Sequence, residues 1–405
     1  MKRVFPFVVP GGMLFAAALV IVHVGDIPAS LLAVIGIYPY VVFAAALLLG
    51  WRFNRSSLVF AAICLATADR ALLYVAGNIS STGMSQDIVF NAVCILLPVN
   101  LAILCLMKER GTFTIHGIFR IVLIALQPLI IAAFIKLDAP RLLFYLSHSF
   151  VDWKVLARFS LSQPAMVAFF IAFFVVGIRF IRNRGAKESG FFWVLVTILV
   201  CLTTVEPGTL SVFYFSTAGL ILLISIIEAS YAMAFRDELT GLPARRALKE
   251  DMLKLGSRYT LAMLDIDHFK KFNDRHGHDV GDQVLRMVAA KLLNVSGGGR
   301  AYRYGGEEFT VIFPGKYADD AADHLEELRK DIASSGFALR SSMRPMKKPK
   351  KPRTGRRQPR RISVTVSIGL AGRDGNNTKP QDVLKAADKA LYRAKKTGRN
   401  RLAAQ

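Results

Sequence analysis

The chain has few cysteines, and this shortage narrows what kind of protein it is. Four of its 405 residues are cysteine. They lie in apolar stretches and lack the paired spacing of a metal site, at Cys64, Cys94, Cys105 and Cys201. Buried free thiols are therefore expected, and neither a disulfide framework nor a cysteine-based metal site is predicted.

Acidic residues are also scarce, with 29 against 52 basic residues and a formal net charge of +23. The segment 340–361 holds eleven Lys or Arg and no acid, which is nearly half of the excess. Prolines interrupt it at Pro345, Pro349, Pro352 and Pro359. Proline and like charge together predict an extended, poorly ordered insertion. No aromatic residue interleaves the run, so nucleic-acid binding is not expected; a solvated loop and contact with anionic lipid headgroups both stay open.

Hydrophobic residues make up 53% of the chain, and the excess lies before residue 230. A membrane-spanning helix needs about 20 mostly apolar residues. Eight stretches qualify: 5–24, 31–51, 58–76, 88–107, 116–135, 164–181, 190–205 and 209–229. No signal-peptide cleavage pattern follows the first stretch, so we expect it to be retained. We predict an α-helical transmembrane bundle of about eight helices over 1–230, with a sensory or anchoring role, and a soluble domain over 231–405.

The charges of the short loops give an orientation. Basic residues occur in alternate loops: Lys2, Arg3, Arg52, Arg55, Lys108, Arg110, Arg182, Arg184 and Lys187. The intervening short loops carry Asp26, Asp87 and Glu206 and no Lys or Arg. This alternation places both the amino terminus and the soluble domain in the cytoplasm. The loop 136–163 departs from the rule, and its apolar residues 142–145 suggest an interfacial helix.

Ionisable residues also occur inside the apolar stretches, at Asp69, Arg70 and Arg120. Such groups are costly in a bilayer and usually face a protein interior or a cavity. They predict either a ligand-sensing pocket or an internal ion pair that fixes helix packing. Asn91 and Asn100 fit either interpretation.

The soluble part alternates strand and helix patterns. Strands are predicted at 261–264, 301–304, 309–313 and 362–370, and helices at 280–293, 319–332 and 383–396. The last strand alternates apolar and small polar residues, as a half-buried strand does. This order predicts an α+β domain with helices covering a mainly antiparallel sheet.

Four motifs follow one another in this part of the chain. They are Asp237-Glu238-Leu239-Thr240-Gly241-Leu242, the segment 265–282 beginning Asp265-Ile266-Asp267, the hairpin Arg303-Tyr304-Gly305-Gly306-Glu307-Glu308-Phe309, and the segment 387–401. Together they closely resemble the GGDEF family of diguanylate cyclases, in its Gly-Gly-Glu-Glu-Phe form. The resemblance covers about 235–402. Four motifs in the same order and at compatible spacing would rarely occur by chance.

The resemblance implies a nucleotidyl-cyclase or palm-like fold and the condensation of two GTP into cyclic di-GMP and two pyrophosphates across a homodimer. By the same resemblance, Asp265, Glu307 and the Ile266 carbonyl hold divalent metal. All-oxygen ligands suit Mg²⁺ or Mn²⁺. Glu308 is the candidate for handling the proton of the attacking hydroxyl or for orienting its ribose. Asp265, Glu307 and Glu308 are thus the candidate catalytic residues.

The resemblance also implies a set of substrate-binding residues: Lys270, Asn273, His278, Asp282, Gly305, Gly306, Lys395 and Arg399. Asn273 and Asp282 match the guanine-reading positions, and an aspartate that accepts from guanine penalises adenine. Lys395 and Arg399 match phosphate-contacting positions, and their spacing predicts one helix face if the helix runs that far. Asp237 and the pair 240–241 are expected to position the entry into the domain.

The sequence departs from the family where many members carry an inhibitory Arg-x-x-Asp product site. Ser296 and Gly299 stand at those two positions, so no product inhibition by that route is expected. Two alternatives to the enzyme stay open: a catalytically silent membrane receptor for GTP or cyclic di-GMP, and a membrane transporter or receptor with an attached nucleotide-sensing domain.

Overall fold

The computed structural model describes residues 10–24, 29–77, 83–137, 140–150, 160–183, 185–338, 361–374 and 378–405. The chain divides into two compact units, Met1–Tyr231 and Ala232–Gln405. Each unit has its own hydrophobic core.

The first unit is helical throughout its described elements. Its helices are α1 (Gly11–Val24), α2 (Ala29–Arg52), α3 (Ser56–Gly77), α4 (Gly83–Leu106), α5 (Ile115–Lys136), α6 (Pro140–Ser147), α7 (Gln163–Asn183), α8 (Ala186–Thr204) and α9 (Thr209–Phe235). Among the described residues, six helices are long and apolar enough to cross a membrane, namely α3, α4, α5, α7, α8 and α9. The described apolar parts of α1 and α2 are shorter. A helix therefore lies on each of the eight predicted stretches, and α6 lies where the interfacial helix was predicted.

Two polar contacts inside this unit join neighbouring side chains. The Asp69 carboxylate is buried, and Arg70 donates to its Oδ2 through Nη2 at 2.5 Å and through Nε at 3.1 Å. Arg70 also donates to the Tyr40 hydroxyl at 2.9 Å. Asn100 on α4 and Gln127 on α5 exchange amide hydrogen bonds of 2.8 and 3.1 Å. These contacts favour the packing interpretation for Asp69, Arg70 and Asn100.

The loop between α4 and α5 is fastened by Glu109. Its carboxylate accepts hydrogen bonds from the Ser56 hydroxyl and the Ser57 amide, each at 2.9 Å, and from the Ser57 hydroxyl. The Lys187 ammonium lies 3.2 Å from the same carboxylate. One acid thus joins this loop to the first turn of α3 and the first turn of α8.

The second unit is built on a five-stranded sheet. Its strands are β1 (Tyr259–Ile266), β2 (Arg300–Gly305), β3 (Glu308–Pro314), β6 (Val366–Gly372) and β7 (Leu402–Ala404), in the spatial order β2-β3-β1-β6-β7. Its helices are α10 (Arg245–Leu253), α11 (Phe269–His276), α12 (His278–Leu292), α13 (Ala318–Ser334) and α14 (Pro380–Lys396). The pairs β2–β3, β3–β1 and β1–β6 are antiparallel, and β6–β7 is parallel. The predicted α+β domain with a mainly antiparallel sheet is confirmed.

The strand β1 is buried along its whole length because helices cover both faces of the sheet. Its alternate residues enter two cores: Ala262 and Leu264 pack into one, and Leu261 and Met263 into the other. This is the period of two that a strand imposes on its side chains.

The predicted half-buried strand over 362–370 was wrong in its start and in its exposure. The strand begins at Val366, and Val366 to Ala371 are all buried, since β6 is an inner strand that contributes to both cores. Residues 361–362 form the short strand β5, which pairs with β4 (Phe337–Ala338). The basic insertion between these two short strands, 340–361, lies outside the described residues except for Arg361.

Candidate active site

The carboxylates predicted from two separate motifs meet at one end of β1. Asp265 is directly opposite Glu308 across the β1–β3 pair and opposite Ser367 across the β1–β6 pair. Directly opposite residues on an antiparallel pair project from the same face of the sheet. Glu307 precedes Glu308 in the hairpin turn, so three acids lie together at this end of the strand.

Glycine occupies the two positions of the hairpin turn for different structural reasons. Gly306 has φ +52°, a left-handed conformation that favours glycine. Gly305 has no such φ, and a Cβ built on it meets no atom within 4 Å. The turn therefore requires glycine at position 306. At position 305, the lack of a side chain leaves the backbone exposed, so that another molecule can approach it closely.

The pKa values of all three acids are raised. Burial raises the pKa of Asp265, and the Lys395 ammonium, 2.8 Å from its Oδ2, opposes that effect. Burial and the charge of Asp265 raise the pKa of both Glu307 and Glu308. Carboxylates that repel one another in a partly desolvated site are stabilised by an added cation.

The oxygen donors at this end of the sheet fit a divalent cation that is shared with a substrate. Among the described residues no group of three or more His, Cys, Asp or Glu could hold a metal alone. Asp265, Glu307 and the adjacent main-chain carbonyl of Ile266 are all oxygen donors. A small hard cation such as Mg²⁺ is commonly held by one or two carboxylates together with substrate phosphates. The donor set matches that arrangement.

Lys395 and Arg399 do not share a helix face, because the helix does not run as far as that prediction required. Helix α14 ends at Lys396, and Gly398, Arg399 and Asn400 have φ of +119°, +61° and +45°. Three left-handed residues in succession turn the chain away from the helix axis. The turn still leaves Arg399 close enough to lower the pKa of Asp265.

Asn273 and Asp282 lie on two successive helices, α11 and α12, which meet at Gly277. The Asn273 side-chain oxygen is buried and has no hydrogen-bond partner among the described residues. A buried acceptor without a donor is uncommon and calls for an explanation.

Two other predicted substrate residues stand apart from this cluster. Lys270 on α11 and His278 at the start of α12 are both exposed, and neither has a side-chain hydrogen bond or ion pair within the described part of the chain. Their roles stay predictions.

Asp267 has a positioning role that its place in the motif did not reveal. It accepts hydrogen bonds from the Thr365 hydroxyl at 2.7 Å, the Ser367 hydroxyl at 2.6 Å and the Asn400 amide at 3.0 Å. The last bond fastens the left-handed turn that carries Arg399. The donors are 98 to 133 residues away in sequence, so no local pattern indicates them.

Arg303 also connects segments that are distant in sequence. Its Nη1 lies 2.6 Å from Asp237 Oδ1, and its Nη2 donates to the Gly306 carbonyl at 2.8 Å. Asp237 in turn accepts from the Thr240 amide at 2.8 Å and the Thr240 hydroxyl at 2.6 Å. The segment that opens the domain is thus joined to the hairpin turn through one guanidinium.

Uncharged residues occupy the two positions at which many family members carry the inhibitory Arg-x-x-Asp motif, and these residues make other contacts. The Ser296 hydroxyl lies 2.8 Å from His324 Nδ1 and donates to Glu327 at 3.0 Å. A Cβ on Gly299 would come within 2.9 Å of the Phe313 ring.

The chain is similar to known proteins over this second unit. Residues 234–401 match the family model described as "Diguanylate cyclase, GGDEF domain". The response regulator PleD of Caulobacter vibrioides is 37% identical over 182 residues, which are 43% of this chain and 37% of PleD. The diguanylate cyclase VdcA of Vibrio cholerae is 38% identical over 174 residues, 42% of this chain and 46% of VdcA. The chain thus spans less than half the length of these curated relatives.

Solved structures are also similar over the same region. One of them contains the coiled coil and GGDEF domain of DgcB from Caulobacter crescentus in complex with c-di-GMP. It is 34% identical, and the match covers 44% of this chain and 90% of that one with a TM-score of 0.38.

Proposed function

We propose that the chain is a membrane-anchored diguanylate cyclase, whose residues 234–401 match the family model of the GGDEF domain. It joins two GTP into cyclic di-GMP and releases two pyrophosphates. The observation that carries this proposal is the meeting of Asp265, Glu307 and Glu308 beside Lys395 at the end of β1. A silent receptor needs no such concentration of repelling acids.

Each residue of the candidate site has a distinct role in the proposed reaction. Asp265, Glu307 and the Ile266 carbonyl would hold Mg²⁺ or Mn²⁺, which when bound neutralises charge on the phosphates. Lys395 and Arg399 bring positive charge to the same end of the sheet and orient the triphosphate. Glu308, whose pKa is raised by burial and by Asp265, accepts the proton of the attacking ribose 3′-hydroxyl. A raised carboxylate pKa brings the base closer to the operating pH.

The hairpin and the two helices beside β1 bind the rest of the nucleotide. The exposed backbone at Gly305 and Gly306 lies against the sugar and phosphates, and Asn273 and Asp282 read the guanine. The unpartnered Asn273 oxygen supports this assignment, since a guanine offers donors that would pair it. Lys270 and His278 are exposed contacts at the same helices.

Two copies of the chain are required, because the domain of each copy binds one GTP and the reaction joins the two GTP molecules. The first unit holds the enzyme in the bacterial inner membrane with its second unit in the cytoplasm, and regulates it. Six helices long and apolar enough to span support the anchoring role, and the loop charges support the orientation. Without Arg-x-x-Asp, the enzyme is not inhibited through that product site.

The test uses the purified full chain in lipid nanodiscs with GTP and Mg²⁺, and identifies the product by mass spectrometry. Cyclic di-GMP and pyrophosphate are the expected products, in a ratio of one to two. Binding of GTP without turnover would instead support the silent receptor.

A further inference from the structure

Gly281 lies against the side chain of Asn273, and its lack of a side chain determines where the asparagine amide stands. Gly281 lies inside α12 and is buried. A Cβ built on it would overlap the Asn273 Oδ1 and come within 3.0 Å of its Cγ and 3.2 Å of the Phe269 ring. Any residue larger than glycine therefore displaces the Asn273 amide.

The backbone itself does not require glycine at this position. Gly281 has no left-handed φ, and it lies within a regular helix, where alanine is ordinarily favoured over glycine. The atom that a methyl group would overlap is the free end of a flexible side chain. The conflict is therefore relieved by rotating Asn273 away, so the cost falls on the position of the amide rather than on the fold.

The displaced atom has no partner within the described part of the chain. Asn273 Oδ1 is buried and accepts no hydrogen bond. Asp282 follows Gly281 directly in the sequence, so the residue against which the Asn273 acceptor packs is the neighbour of Asp282 on α12. A buried acceptor held in one place by its surroundings selects a ligand that brings a donor to it.

We propose that Gly281 is a specificity-determining positioning residue: it leaves the space in which the Asn273 carbonyl oxygen accepts a hydrogen bond from the exocyclic 2-amino group of the purine substrate. The inference rests on the proposed function, since it concerns how the same site selects guanine. It assigns the selection of the 2-amino group to a residue that itself touches no substrate.

Inosine triphosphate provides the test, because it differs from GTP in lacking the 2-amino group. The full chain in nanodiscs is titrated with GTP and with ITP in competition against a fluorescent GTP analogue, and cyclic dinucleotide synthesis is measured with each. Three variants are compared with the parent: Gly281→Ala, Asn273→Ala and the double variant. Gly256→Ala is the matched control, because a Cβ there meets nothing within 4 Å.

Gly281→Ala and Asn273→Ala are each expected to lower the preference for GTP over ITP by about tenfold, the value of one neutral hydrogen bond. The double variant is expected to be no worse than Asn273→Ala, because the methyl group then has no amide to displace. Its thermal midpoint is expected to equal or exceed that of Asn273→Ala, as for a glycine replaced within a helix.

The proposal is overturned if Gly281→Ala keeps the parent's GTP preference, or if the losses of the two single variants multiply in the double variant. It is also overturned if Asn273→Ala discriminates as well as the parent, since the oxygen is then unused. Failure of the proposed function is a separate result: the parent would bind GTP in preference to ITP yet release no cyclic dinucleotide. That preference and its loss in Gly281→Ala would still support the role assigned to Gly281.

Discussion

Glu109 in the first unit and the acids at the end of β1 in the second unit have pKa values shifted in opposite directions. In the first unit, Glu109 meets three hydrogen-bond donors and the Lys187 ammonium, so its pKa is lowered even though burial alone would raise it. In the second unit, Glu307 and Glu308 have raised pKa values because burial and Asp265 outweigh Lys395.

This difference separates acids that hold a fold together from acids that await a ligand. A carboxylate whose lone pairs are all met by the protein stabilises the structure and has no capacity left for a substrate. Carboxylates that repel one another lower stability, and persist where function requires them. Substitutions that preserve shape but remove charge are the direct way to test this contrast.

The largest expected effect follows from removing a charge at the end of β1. Asp265→Asn and Glu307→Gln are each expected to lower cyclic di-GMP synthesis by at least about 100-fold, since each removes charge aimed at the reacting phosphates. Synthesis is measured by mass spectrometry on the full chain in nanodiscs. Asp331→Asn, which alters an exposed ion pair with Lys291, is the control and is expected to retain full activity. Turnover that survives in both site variants would remove these acids from the mechanism.

A smaller loss is expected when the hairpin turn is released from the entry segment. Arg303→Lys keeps the charge but cannot reach both Asp237 and the Gly306 carbonyl with a planar fork. The resulting shift of the turn is expected to lower kcat by about 10- to 100-fold while the domain stays folded.

Arg286→Lys supplies the matched control, as Arg286 is exposed on α12. Steady-state kinetics and circular dichroism are recorded on both variants. Equal kcat values for Arg303→Lys and the parent would mean that the bridge is not needed to position the turn.

The sequence predicted the elements that have long, regular patterns and missed those that depend on distant partners. The central hairpin and helix α12 follow from local spacing, and the acid pair Asp265 and Glu307 follows from the family resemblance. Helix α11 has eight residues with many polar side chains, which is too short and too polar for a clear periodicity. Arg399 was predicted to share a helix face with Lys395 only if the helix ran that far, and the helix ends at Lys396, before three left-handed residues.

The contacts of the site were less predictable than its residues. Asp237 and Arg303 are 66 residues apart, and Asp267 and Asn400 are 133 apart. Spacing within a motif carries no information about such pairs; only the strand order and the turns after the strands bring them together. Gly281 illustrates the same limit, because its neighbour Asn273 lies across a turn between two helices.

Stability distinguishes the two kinds of acid. Glu109→Gln is expected to lower the free energy of unfolding by about 2 kcal/mol, because it removes a charge that several donors share. Glu307→Gln removes a repulsion and is expected to leave the thermal midpoint unchanged or higher while abolishing synthesis. Both midpoints are measured in the same detergent by intrinsic fluorescence. The contrast fails if both substitutions change stability in the same direction.

Acidification is expected to separate function from folding. The folded-state pKa values of Asp265, Glu307 and Glu308 are raised, so their charged forms cost stability above those pKa values, and that cost disappears as the pH falls through them. The pKa values of Glu109 and Asp237 are lowered, so their contribution is present above the unfolded value and is lost as the pH falls through the folded value. Synthesis should therefore decline at a pH where the thermal midpoint has not yet fallen.

The smallest expected effect is a shift in the pH at which synthesis declines, caused by removing one charge near Glu308. Burial and Asp265 are the main causes of the raised pKa of Glu308, and Asp388 on α14 adds to them. Asp388→Asn is therefore expected to move the acid limb of the pH–rate profile to lower pH and to leave the plateau unchanged, because Asp388 does not belong to the acid cluster itself. Lys389→Gln, next to it on the exposed side of α14, is the control. An acid limb that stays in place in Asp388→Asn would mean that Glu308 does not titrate in the reaction. A limb that moves to higher pH would mean that Asp388 lowers the pKa of Glu308, and this would contradict the contrast between Glu109 and the acids at the end of β1.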